Sequence, residues 1–127
     1  MSKSKKILTA KEFLEQKKIY DEKRSLVYHS ERFGGDIAID DSVDISEISE
    51  IVQQTDLNET ERYIRLVYTC CPLFKSPEFR EVYTVKEPYD VVKESFKCTG
   101  LELFELGNQI LQVYGILDFK TVENIKK

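Results

Sequence analysis

The stretch Tyr63-Ile-Arg-Leu-Val-Tyr-Thr-Cys-Cys71, closed by Pro72, constrains the fold more than any other part of the chain. Apolar side chains at Tyr63, Ile64, Leu66, Val67, Tyr68, Cys70 and Cys71 go most of the way round a helix, which marks a central, buried one. Pro72 stops it, because proline lacks an N–H and disfavours helical backbone in the residue before it. Asn58, three residues ahead of Glu61, gives a box-like start. A helix of this kind needs other amphipathic elements to enclose it.

The remaining sequence supplies them. Thr9 and Glu12 form a capping box that opens a polar helix running to about Arg24, with sparse apolar positions at Phe13, Leu14, Ile19 and Tyr20. Ser25–Ser30 reads as a strand, and Asp36–Asp40 alternates polar and apolar residues at period two. Glu31-Arg-Phe-Gly-Gly35 between them suits the turn of a β-hairpin, whose Ile37 and Ile39 should face helices, since a lone hairpin is marginal in water. Ile45, Ile48 and Val52 form a stripe opposite Glu47 and Glu50. Ser76-Pro77 and Glu87-Pro88 each open a short helix. Thr99 and Glu102 make a third capping box, for a long helix that ends at Gly115. A last short helix would carry Phe119, Val122 and Ile125. The expected fold is α+β, mainly α: an N-terminal helix and β-hairpin followed by a bundle of about five helices. Residues 1–127 fit a single domain, with 1–8 a flexible arm.

Composition narrows the function. The charged fraction, 33%, exceeds the usual quarter and predicts a very soluble chain. No apolar run reaches the ~18–20 residues of a membrane span, and the Lys-rich start lacks a signal-peptide apolar stretch. Three cysteines, Cys70, Cys71 and Cys98, do not make a secreted disulfide framework, so a cytoplasmic protein with reduced thiols is expected. Net charge is −4 and unevenly placed. Residues 1–24 carry eight basic and four acidic side chains, while residues 36–61 carry nine acidic ones and no Lys or Arg. The split suits contact with a charged partner or another copy of the chain, or else two solvated faces. The acidic balance argues against nucleic acid.

Catalytic chemistry has little to draw on. His29 is the one histidine, and a thiol enzyme would have to pair it with Cys98 or Cys70 without any local signature. Cys70 and Cys71 are adjacent, about 100° apart on a helix, and cannot chelate zinc as a close pair does. The acidic run from Asp36 to Asp44 lacks a calcium loop, and Gly34-Gly35 lacks the lysine and following helix of a phosphate loop. Gly107 reads as a site of close helix packing. No cofactor, metal or catalytic residue is expected.

The order of segments resembles a known family. Glu12-Phe-Leu-Glu15, Gly34-Gly-Asp-Ile37, Tyr63-Ile-Arg-Leu-Val-Tyr68, Ser76-Pro-Glu-Phe79, Glu87-Pro-Tyr-Asp-Val-Val92 with Phe96, and a long helix ending near Tyr114-Gly115 follow one another as in the XkdN-like tail assembly chaperones of contractile-tailed phages, prophages and tail-derived bacteriocins. The chain departs from that pattern at Thr69-Cys70-Cys71, where the resemblance implies a more acidic stretch. What the resemblance implies is a non-enzymatic chaperone. It would keep the tape measure protein soluble in the bacterial cytoplasm, with the tail tube protein a further partner, and be absent from the mature particle. The alternatives are a structural tail or connector component retained in the particle, and a small thiol-dependent enzyme. Partner contact would fall on Phe13, Tyr20, Ile48, Val52, Leu73 and Phe74, unless these residues only seal the core.

Overall fold

The structure is a computed structural model that describes residues 7–116. Residues 1–6 of the expected arm and the expected helix with Phe119, Val122 and Ile125 lie outside the described residues. Six α-helices are described: α1 (Ala10–Lys23), α2 (Ile45–Val52), α3 (Glu59–Cys70), α4 (Pro77–Val82), α5 (Asp90–Ser95) and α6 (Gly100–Val113). A 3₁₀ turn spans Pro72–Lys75, and β1 (Val27–Ser30) pairs antiparallel with β2 (Gly35–Ala38). An N-terminal helix, a hairpin and five further helices make the expected mainly α, α+β fold.

Local sequence accounts for most boundaries. The Thr9 hydroxyl accepts from the Glu12 N–H at 3.2 Å, and the Glu12 carboxylate accepts from the Thr9 N–H at 3.1 Å, so the first capping box is complete. Asn58 caps α3 by accepting from the Glu61 N–H at 2.8 Å. Gly115 sits at φ +74°, and the pair Gly115 N–H to Gln112 O and Ile116 N–H to Leu111 O closes α6 in a Schellman motif. The helix expected to open at Glu87-Pro88 starts at Asp90, because the Asp90 and Val91 N–H groups first bond back to Glu87 and Pro88 in a turn.

α3 and α6 form the centre. Ile64, Leu66, Val67 and Cys70 of α3 pack in one core with Leu106, Ile110 and Leu111 of α6, enclosed by Ile48 and Val52 of α2, Val91 and Val92 of α5, and Ile37 and Ile39 from the hairpin. Each aliphatic side chain of this size contributes about 1.5–3 kcal/mol on burial. The two central helices approach closely because α6 has Gly107 where they meet. A Cβ there would lie 2.6 Å from Cε1 of Tyr63 and nearer still to Cδ1.

Two expectations are corrected. Ile48 and Val52 are completely buried, so they are core residues and not a partner-facing stripe; the covered stripe is Ile48, Ile51 and Val52, while Ile45, in the first turn, is exposed. The capping box at Thr99 does not form. Thr99 makes no side-chain cap bond, and the Glu102 carboxylate turns outward to the hairpin. The Thr99 N–H already donates to the Phe96 carbonyl at 3.0 Å, and the carboxylate takes the buried Ser30 hydroxyl and the Arg32 N–H of the turn instead.

The hairpin is sewn to α6 along one face of the helix. Glu102 accepts from Ser30, Glu105 accepts from the Tyr28 hydroxyl at 2.7 Å, and Gln109 donates to the Ser25 carbonyl at 3.2 Å. Arg24 closes the seam, donating to the Val113 carbonyl at 3.1 Å and to Asp41 at 3.0 Å. These positions repeat every three or four residues, the spacing of one helix face.

Gly107→Ala should therefore destabilise the protein, although alanine is the better helix former by about 1 kcal/mol. Overlap with the Tyr63 ring should outweigh that gain and leave a net loss of about 1–2 kcal/mol in urea unfolding. Adding Tyr63→Leu should recover part of it. An unchanged or higher urea midpoint for Gly107→Ala would rule out the close α3–α6 approach.

Candidate functional site

Five aromatic rings form a continuous chain across one side of the molecule. Phe33, in the hairpin turn, meets Phe96 edge-on at 6.2 Å; Phe96 meets Phe74 at 5.7 Å; Phe74 meets Phe79 at 5.4 Å; and Phe79 meets Tyr83 at 6.3 Å. These separations fall in the favourable range for edge-on and tilted pairs, and each such pair contributes about 0.5–1.5 kcal/mol beyond simple burial. The rings come from four separate segments: the hairpin turn, the 3₁₀ turn, α4 with the residue after it, and the end of α5. Their juxtaposition is tertiary.

The chain of rings lines an open groove of about 340 Å³. Phe74, Phe96 and Ile37 form its buried floor, and Phe33 and Leu73 stand exposed at its rim with Asp36. The groove is mostly apolar, and its size suits one or two large side chains of another molecule. Of the residues expected to touch a partner, Leu73 and Phe74 meet here. Phe74 supplies floor and Leu73 supplies rim, 46% exposed.

Phe13 and Tyr20 lie elsewhere. They line a second, wider groove of about 610 Å³ between α1 and the body, whose far wall is Ile45, Asp41, Val113 and Tyr114. No residue of α1 is buried. Phe13 and Tyr20 are each 54% exposed, with Leu14 and Ile19 exposed on the flanks of the same helix. The six sequence-expected positions thus divide into two groove pairs and two core residues.

Sequence reasoning missed Phe33, Phe79, Tyr83 and Phe96 as site residues. Each stood in a different short segment, and no spacing rule connects them. A cluster of aromatic residues at turn and helix-end positions was the available signal, and it is shared with ordinary core.

The titratable groups show what the surface can do chemically. His29 Nδ1 lies 2.8 Å from Asp36 Oδ1 across the hairpin, and that hydrogen bond raises the imidazole pKa above its ordinary 6.5. Both side chains are well exposed. Burial pushes the thiols of Cys70 and Cys71 up to about 12, so both stay protonated at neutral pH and act as small apolar groups. Cys98 is exposed. Among the described residues no cluster of three or more His, Cys, Asp or Glu side chains is placed to hold a metal ion. No described helix is long and apolar enough to cross a membrane. On the acidic side, α2 presents Glu47 and Glu50 to a small cleft in which Arg65 lies over the Tyr89 ring at 4.2 Å and donates to that hydroxyl at 2.8 Å.

Glu102 bonds to the Ser30 hydroxyl at 2.6 Å, which is the main cause of its lowered pKa; the Arg32 N–H adds to it and desolvation opposes it. Comparisons with protein-family models, with curated protein sequences and with solved structures gave no match.

Two measurements follow from these ionisations. Ellman's reagent at pH 8 should titrate one thiol of the native protein promptly, Cys98, and all three in denaturant; prompt reaction of two or three native thiols would contradict the burial of Cys70 and Cys71. A carboxylate with a lowered folded pKa stabilises the fold above its unfolded value, near 4.5, and that share is lost as pH falls through the folded value. The stability gap between wild type and Glu102→Gln should thus be present at pH 7 and shrink steadily below pH 4.5. A gap independent of pH would show that the carboxylate charge has no part in it.

Proposed function

We propose that this chain is a tail assembly chaperone that binds the tape measure protein through exposed apolar grooves and keeps it soluble while the tail tube grows around it. The observation that carries the reading is the open aromatic groove. Five rings and Leu73 form a rimmed apolar concavity on a heavily charged surface, and contiguous exposed apolar surface of this kind is where soluble proteins bind other chains. The order of segments described above supports the same reading through its resemblance to the XkdN-like chaperones.

The physical requirements of the role match the surface. A tape measure protein is long and largely helical, so its apolar stripes need temporary cover. A holder must be soluble enough to carry such a client, and 33% charged residues serve that. It must also release, which favours shallow grooves over deep sockets. Leu73 and Phe74 of the first groove, and Phe13 and Tyr20 of the second, are the residues this reading assigns to the client. The tail tube protein is a second partner on the same reading, and a second copy of the chain a third. The site of action is then the bacterial cytoplasm, with no chain left in the finished particle.

Co-expression with its cognate tape measure protein should keep that protein in the soluble fraction. Leu73→Glu, a change at an exposed position, should weaken its capture roughly tenfold, equivalent to about 1.4 kcal/mol, without lowering the melting temperature. A tape measure protein equally insoluble with and without this chain would end the proposal. Stoichiometric amounts of the chain in purified particles, read by mass spectrometry, would point instead to a structural tail component.

A further inference from the structure

The aromatic groove has one wall that no helix supplies. Phe33 sits on the four-residue hairpin turn Glu31-Arg32-Phe33-Gly34, is 58% exposed, and touches the ring chain through Phe96. The ring is held by its edge contact with Phe96 and by the turn backbone, which sets the direction in which the side chain leaves the chain.

That backbone is held from α6. The Arg32 N–H donates to Glu102 Oε2 at 3.0 Å. The Phe33 N–H donates to the Ser30 hydroxyl oxygen at 3.0 Å, and the same hydroxyl donates to Glu102 Oε1 at 2.6 Å. Both oxygens of one carboxylate thus serve two successive turn amides, one directly and one through Ser30. Gly34 completes the turn at φ +70°, its N–H bonded to the Ser30 carbonyl at 2.9 Å. Ser30 is fully buried and Glu102 nearly so, so water competes little for these bonds. The carboxylate also stands in the first turn of α6, where the helix dipole favours negative charge.

We propose that Glu102 is the positioning residue of the aromatic groove: acting through Ser30 and the Arg32 amide, it holds Phe33 as the groove's hairpin-side wall. Glu102 does not itself line the groove. The groove's binding strength is therefore set partly from α6, a helix that does not line it. The proposal rests on the groove being a binding surface, as the chaperone reading has it. Its test needs no client protein, so the two can fail separately.

The test titrates indole, a small apolar probe of the groove's size, into the full chain while the Leu73 methyl NMR signals report binding at this groove alone. Phe33→Ala removes the wall, and Glu102→Ala removes its support. Each should weaken indole binding by about fivefold, the range of one aromatic contact. The double variant should bind no more weakly than either single one, because both changes remove the same wall. Ser30→Ala, which cuts only the relay to the Phe33 amide, should weaken binding in the same direction, and it stands in if Glu102→Ala does not fold. Glu102→Gln keeps one acceptor oxygen and should fall between wild type and Glu102→Ala. A purely structural Glu102 would lower the melting temperature and leave the indole affinity at Leu73 unchanged. That result, or losses that multiply in the double variant, would overturn the proposal.

Discussion

The close approach of α3 and α6 at Gly107 is the contact on which the rest of the structure depends. With no side chain at that point, the Tyr63 ring lies flush against α6 and its hydroxyl reaches Asn108 at 2.7 Å. The two helices then share one apolar seam, and α2, α5 and the hairpin close over it. Any wider spacing would open voids around Leu66, Leu106 and Ile110, which are wholly buried, and core voids are costly because neighbouring side chains collapse into them only in part.

α6 also organises the other face of the molecule. Its inward side packs on α3, and its flank carries the polar row that holds the hairpin and Arg24. Tyr114, at its end, accepts from the Val43 N–H at 3.1 Å and donates to the Asp40 carbonyl at 2.9 Å, tying down the loop before α2. One helix therefore fixes the positions of segments that are far apart in sequence. The aromatic groove is a product of that arrangement, since its hairpin wall and its α5 floor have no direct chain connection.

Much of the fold was legible because its signals are local. The Thr9–Glu12 box, the Asn58 cap, the Gly115 stop and the alternation around Ile37 and Ile39 each act within a few residues, and each appears as read. Gly107 was legible too, as a small residue on an otherwise bulky helix stripe. The failures share one cause. An amphipathic stripe states that a face is apolar and does not say what covers it, so Ile48 and Val52 looked like partner-facing residues when both are already buried in the shared core, against α3. Glu102 had a correct local partner in Thr99 and a better distant one in Ser30. No pattern in the sequence ranks the two. The aromatic groove was half visible, at Leu73 and Phe74, because the other rings join only through tertiary packing.

The first helix has a different relation to the fold from all the others. α1 is held by its own capping box, by the Lys17–Asp21 pair at 2.6 Å, and by Arg24 at its exit. It buries nothing. Its free energy is thus largely its own, and a helix of this length is marginal when tertiary contacts do not reinforce it. A helix so little covered should fray and re-form more readily than the buried core unfolds. The surface bearing Phe13 and Tyr20 consequently has an occupancy as well as a shape, set by the helix–coil balance of fourteen residues.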